Sequence, residues 1–404
     1  MNVYGEIRGH IQSLQLVVCL KTKQESEFDL KISDEEIKVE NGNNNWTFNL
    51  PNNIQLIPDS CHNLSWVKDE GAHMIFRIKD HAKAQDEEHS AQRSFEDALT
   101  DLECNLVCAT CQSPILKSQC KFDRVCQLPS DNWQEMVEDW QCHASEDVAQ
   151  IARKSLVPST KDCFMNSTSI IVSPQVINEG VIRSSGSPVS VRNNSNKNAS
   201  MFKWLTCWRC VSLIGKVSCQ ENDTNDWKTM SSVEIFQYSV EIRKNGVDNL
   251  LREHKQIPRL EVFLSNYLLS VSKTYMAFRF IVQSEEDSKI HALIWLINSE
   301  MKLLRSQQKA NETLAKFSGK NMNNVEETSN VQCCQIVKIL YEQCLGEEIV
   351  NLADEWNKDM AVHSIILPKK ICFELLLLLA TNTSTMPTSL QKQNNFKVGF
   401  LRLE

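Results

Sequence analysis

Two short cysteine pairs carry the strongest chemical signal in this chain. "CATC" supplies Cys108 and Cys111, and "CWRC" supplies Cys207 and Cys210. A Cys-x-x-Cys knuckle turns the backbone so tightly that two thiolates converge on one metal ion, and two knuckles complete a tetrahedron for zinc. Four protein thiolates leave no open coordination position, so a zinc held this way is expected to be structural. The pairs are separated by far more than the roughly 15–20 residues of common zinc ribbons. Four unligated buried thiols are therefore the alternative reading, and Cys104, Cys120 and Cys219 are reserve ligands. Neither pair opens a helix within a βαβ unit, which argues against a thioredoxin-like redox pair.

A third thiol, Cys372, sits in "LPKKICFELLLLLATNTSTMPTSL". Read as a helix, this segment aligns Cys372 with Leu375, Leu376 and Leu379, a stripe that normally faces a core. Free cysteine is also among the most buried residue types. Yet the thiol lies where an extended Leu-Pro segment enters the helix, and a helix N-terminus favours thiolate. Nucleophile and core thiol both remain open at this level.

The third constellation is "LPSDNWQEMVEDWQCH", residues 128–143. Asp131 can cap a helix in which Trp133, Met136, Val137 and Trp140 share one face, with Cys142 and His143 closing it. Such a face either packs on its own domain or anchors in a partner's groove.

The elements that must position these groups are mostly strands. Short alternating runs separated by "NGNNN", "LPNN" and "DEGA" turns predict an antiparallel β domain over residues 1–95. Residues 100–228 hold most of the cysteines and form the expected zinc-binding β-rich middle. From 230 to 404 the pattern is mixed α/β. "VEIFQYSVEI" reads as one strand, "IPRLEVFLSNYLLSV" as a helix, "MAFRFIVQSEEDSKIHALIWLI" as a hairpin, and the segment holding Cys333, Cys334 and Cys344 as an amphipathic helix. The expected class is α+β.

A net charge of -8 over 404 residues, with no basic stripe, argues against nucleic-acid or membrane-surface binding. The apolar run from Ile371 to Ala380 is interrupted by Glu374 and falls short of the roughly 20 residues a spanning helix needs. The N-terminal stretch lacks the pattern of a signal peptide, so the sixteen cysteines are expected to be reduced or metal-bound. The expected compartment is the cytoplasm, with the nucleus as a second location. No phosphate-binding glycine loop, G-x-S-x-G or H-E-x-x-H is present.

The chain resembles the HECT-like ubiquitin ligases that bind a ubiquitin-conjugating enzyme. The resemblance rests on "LPSDNW" with "WQCH", on "CWRC", "FRF", "ALIWLINS" and "VKILYEQC", and most specifically on the tail from "LPKKICF" to "FKVGF". It implies an E3 ubiquitin-protein ligase that accepts ubiquitin from a conjugating enzyme and passes it to lysines of protein substrates. It implies a thioester at Cys372, although Ile371 precedes it where a HECT tail usually has Thr. The helix from Arg259 to Leu269 is the candidate docking element for the conjugating enzyme. The same resemblance implies an alternative: a non-catalytic inhibitor or escort of the metallo-β-lactamase endonuclease that cuts pre-mRNA 3′ ends. Its contact would be the 128–143 helix, through Trp133, Trp140, Cys142 and His143.

Overall fold

The structure is a computed structural model, and it describes residues 2–19, 29–41, 44–51, 54–80, 99–100, 105–117, 120–128, 157–166, 168–184, 189–191, 200–219, 228, 230–243, 259–306, 326–345 and 347–403. The described residues are β-rich, with the helices α1 (Arg259–Tyr275), α2 (Glu347–Lys358) and α3 (Lys369–Ser384) among them. The class is a β-rich α+β fold. Among the described residues no helix is long and apolar enough to cross a membrane. Contacts divide the chain into two compact units.

The first unit gathers Met1–Ala84, Ile294–Gln343 and Leu376–Glu404. Its N-terminal strands form antiparallel pairs, Asn2–Arg8 with Ser13–Cys19 and Ser13–Cys19 with Gly71–Asp80. Distant segments complete the sheet. Tyr4 stands opposite Arg305, and Asn44–Asn49 runs parallel to the start of the strand Glu326–Gln343. The period of two divides neighbouring residues between two faces. Val3, Ile7, Leu16, Val18 and Leu304 enter one core cluster, whereas Tyr4, Val17 and Leu303 enter another with Ile336, Leu340 and Phe400. The second face also carries a buried ion pair. Lys338 Nζ lies 2.7 Å from Glu6 Oε2, and the Tyr4 hydroxyl donates to Glu6 Oε1 at 2.9 Å.

The helix expected around Cys333 and Cys334 is a strand, Glu326–Gln343. Its residues Ile336, Val337, Ile339, Leu340 and Tyr341 are all buried. A strand covered on both sides shows a continuous apolar run, which periodicity cannot tell from a buried helix. Here β-branched residues and sheet pairing decide in favour of strand.

The second unit comprises Gln85–Leu293 and Cys344–Leu375. Its main sheet runs Ile182–Ser184, Ser200–Cys207, Leu213–Cys219, Val233–Phe236, Ser169–Val172, Asp162–Met165, Arg124–Gln127. The last two strands pair in parallel and the others antiparallel. Gly215 is required by close approach: a Cβ there would meet the carbonyl oxygen of Glu234 at 1.9 Å. The stretch read as one strand, 233–242, is broken by the 3-10 turn Gln237–Ser239, and the strand beyond the turn, Val240–Arg243, pairs with Asn105–Cys108 instead. Helix α1 and the hairpin after it form as the sequence predicts, and Arg279–Ser284 also gains a parallel partner in Val362–Leu367.

Candidate metal centre and tail cysteine

Each knuckle grows from the end of a strand. Cys108 is the last residue of Asn105–Cys108, and Cys207 the last of Ser200–Cys207. Beyond each, the chain closes on itself with the same two bonds. The Cys108 and Cys207 N–H groups donate to the carbonyls of Ser113 (2.8 Å) and Ser212 (2.9 Å). Gln112 and Val211 N–H donate back to the carbonyls of Cys108 and Cys207, both at 2.9 Å. Both turns need a left-handed residue after the second cysteine, Gln112 at φ 63° and Val211 at φ 61°.

The result is a single cluster. The four sulfurs of Cys108, Cys111, Cys207 and Cys210 lie within 4.8 Å of one another. Cys108 Sγ is 3.6 Å from Cys210 Sγ, and Cys111 Sγ is 3.5 Å from Cys207 Sγ. A zinc tetrathiolate with Zn–S near 2.3 Å requires sulfur–sulfur edges of about 3.8 Å. The spacing fits a four-coordinate ion at the centre. Cys120 and Cys219 do not join the cluster, and Cys104 lies outside the described residues.

The surroundings do not act alike on these thiols. Burial pushes the Cys108 thiol up to about 12 and raises that of Cys207 as well. At Cys111 burial acts upward too, but hydrogen bonds from the Ser113 hydroxyl and backbone, with the Cys207 and Cys210 thiols, bring it down to about 6. Ser113 Oγ lies 3.2 Å from Cys111 Sγ, and Ser212 Oγ lies 3.3 Å from Cys210 Sγ. These serines are the contributors that reading the pairs alone misses. The signal was present: both pairs extend to C-x-x-C-x-S. Gln112 adds a link outward, since its Nε2 donates to Glu241 (3.1 Å), which pairs with Arg259 at the start of α1 (3.2 Å).

Cys372 lies in the first turn of α3 and is 0% exposed. Its thiol points at the carbonyls of Gln283 (3.6 Å) and Leu367 (3.7 Å). Burial, reinforced by Glu286, pushes it up to about 12, so it is protonated at neutral pH. Leu375, Leu376 and Leu379 are buried with it, while Phe373 and Leu377 face outward. Trp133, Trp140, Cys142 and His143 lie outside the described residues.

Helix α1, the docking candidate, uses its apolar face internally. Phe263, Leu264, Leu268 and Val271 are buried. The Phe263 ring stands 4.4 Å from that of Tyr238 and 4.9 Å from that of Phe236. Beside α1 is a cavity of about 180 Å³ bordered by Trp204, Lys216, Tyr267, Tyr275 and His363. His363 stacks on Tyr275 at 3.9 Å, and burial holds its pKa down to about 4 against an ordinary 6.5. A depressed histidine binds fewer protons folded than unfolded, so stability is retained above pH 6.5 and lost as pH falls toward 4. Thermal melts should show the wild type losing about 1–2 kcal/mol between pH 7 and 5, allowing for partial exposure, and His363→Asn losing less. Equal pH slopes for the two proteins would exclude His363 as the source.

A β-rich fold with a closed four-thiol cluster and a leucine-rich tail helix is the setting in which family membership becomes plain. The family described as HECT-like ubiquitin-conjugating enzyme (E2)-binding matches residues 6–398, and the chain belongs to it. It is similar to curated mammalian proteins that are named as E3 ubiquitin-protein ligases. The Homo sapiens protein is 27% identical over 409 residues, covering 99% of this chain and 98% of that protein. The Bos taurus protein is also 27% identical, with the same coverage, and the Mus musculus protein 25% identical over 402 residues. No solved structure matches the chain.

Proposed function

We propose that this chain is an E3 ubiquitin-protein ligase that binds a charged ubiquitin-conjugating enzyme and directs its ubiquitin to lysines of protein substrates. The observation that carries the reading is the family match across residues 6–398. Relatives of nearly equal length that are named as ligases support it. Zinc is the metal we assign to Cys108, Cys111, Cys207 and Cys210. A full set of four protein ligands makes it a staple rather than a Lewis acid for chemistry.

The route of transfer turns on Cys372. A thioester there needs a thiolate that an incoming carbonyl carbon can reach, followed by attack of a lysine amine on the same carbon. A thiol that is 0% exposed and pushed up to about 12 offers neither access nor charge. The reading favoured by this geometry is direct transfer: the substrate amine attacks the conjugating enzyme's thioester, whose thiolate departs while the amine proton passes to a base or to water. A thioester at Cys372 is the competing route and requires the N-terminal turn of α3 to open.

The deciding experiment mixes charged conjugating enzyme with wild type, Cys372→Ala and Cys372→Ser. Direct transfer predicts no reductant-sensitive ubiquitin adduct on the wild type and at least half of its substrate ubiquitination in Cys372→Ala. A reductant-sensitive adduct lost in Cys372→Ala, with a reductant-resistant adduct on Cys372→Ser, would establish the thioester route instead. If wild type discharges no conjugating enzyme onto substrate or lysine, the ligase reading itself fails.

A further inference from the structure

The cavity beside α1 is walled by rings that hold one another in place. On the strand Ser200–Cys207, Phe202 and Trp204 stand edge to face at 4.8 Å. Trp204 reaches Phe236 at 6.1 Å, and Phe236 reaches Phe263 at 4.9 Å. Along α1, Phe263 stacks with Tyr267 at 5.8 Å, and at its end Tyr275 stacks on His363. All of these rings border the same space, and all belong to the second unit. Protein interiors carry few voids larger than a water molecule, so an opening of about 180 Å³ among packed rings is an exception.

Polar groups also open onto it. The hydroxyls of Tyr267 and Ser364 and the imidazole of His363 make no hydrogen bond to another described residue. His363 and Ser364 are only half-buried, so their side of the cavity is reachable from solvent. Burial keeps His363 neutral at pH 7. Lys216 borders the cavity as well, but Glu234 Oε2 lies 3.3 Å from its ammonium and offsets its charge. Both charges act on the Tyr267 hydroxyl, in opposite directions.

Size and chemistry together define an occupant. An apolar cavity of about 150 Å³ accepts a benzene molecule. A space of about 180 Å³ therefore takes one such ring with a small substituent. Aromatic walls favour an aromatic guest, in stacked or edge-to-face contact. A few convergent polar groups then fix its orientation. A hydroxyl both donates and accepts, which suits a neutral imidazole beside two hydroxyls. A guest cation would meet the Lys216 ammonium, and a guest carboxylate would meet Glu234 beside it.

We infer that this cavity is a binding site for one neutral phenolic ring, free in solution or carried as a tyrosine side chain. The inference goes beyond the ligase reading and does not depend on it. Calorimetry on the full chain tests it with para-cresol, N-acetyltyrosinamide, benzylammonium and benzoate. Para-cresol is expected to bind the wild type and raise its melting temperature, with both charged rings binding about tenfold more weakly or worse. Tyr267→Phe keeps the ring and removes one hydroxyl, and should weaken para-cresol about fivefold, the worth of one hydrogen bond. Ser364→Leu fills the space and should abolish binding without lowering the melting temperature. N-acetyltyrosinamide bound by the wild type and lost in Ser364→Leu would identify a chain-borne tyrosine as the source, and para-cresol bound alone a free phenol. No binding of para-cresol to the wild type, equal binding of benzylammonium, or equal binding of para-cresol to Ser364→Leu overturns the inference. Unchanged affinity in Tyr267→Phe overturns it whether or not Ser364→Leu folds.

Discussion

Replacing Cys111 or Cys207 by alanine is expected to remove the metal and unfold the second unit at temperatures where the wild type is intact. The two knuckles terminate strands far apart in sequence, and an ion held by all four thiolates would close the loop between them. Three thiolates left around a void cannot complete the tetrahedron, so ion binding and folding are lost together. With free metal at about a thousand times its Kd, bound metal contributes about 4 kcal/mol to stability. That is a large part of the roughly 5–15 kcal/mol of a typical domain. Elemental analysis should find one zinc per wild-type chain and none in either variant, and a strong chelator should lower the wild-type melting temperature toward theirs. Cys126→Ser is the control, because that thiol is exposed and stands apart from the cluster. Wild type purified without chelator, free of metal and melting as before when a chelator is added, would sink the assignment.

Lys338→Ala is the second large effect, and it falls in the first unit. Glu6 is 1% exposed, and its carboxylate accepts from the Lys338 ammonium at 2.7 Å and from the Tyr4 hydroxyl at 2.9 Å. Removing the ammonium leaves a buried carboxylate with only the Tyr4 hydroxyl as donor among the described residues, at an expected cost of about 3–5 kcal/mol. The double variant Glu6→Leu with Lys338→Met should recover most of that loss, because well-packed apolar pairs often equal a buried ion pair. Chemical denaturation of the two singles and the double provides the cycle. A Lys338→Ala cost below about 1 kcal/mol would mean that water or another cation replaces the lysine, and the pair would then count as surface-like.

The local elements are legible to the degree that their determinants are local. The strand Gly71–Asp80 shows alternation because Met74, Phe76 and Ile78 are buried while Arg77 and Lys79 are exposed, and turn residues mark the ends of the N-terminal strands. Helix α1 is legible from Phe263, Leu264, Tyr267 and Leu268 on one stripe. The cysteine cluster is legible in residue type, since C-x-x-C occurs twice with a serine at the same offset. Its closure is not, because no local rule brings Cys111 to 3.5 Å from Cys207. The strand Glu326–Gln343 escapes recognition for the complementary reason. Covered on both faces, it loses the alternation by which strands are recognised.

By itself, the sequence determined the β-rich character, the four ligand types with their spacing, and the family, since these reside in composition, short motifs and their order along the chain. Tertiary structure alone decided that Asn2–Arg8 pairs with a strand about 300 residues away, as Tyr4 does with Arg305. It also decided that Cys372 faces carbonyls inside the protein rather than solvent. The physical reason is the same in both cases. Pairing across a sheet and the side on which a helix is buried depend on which distant segment supplies the covering surface, and period-2 or period-3.6 patterns state only that some surface must.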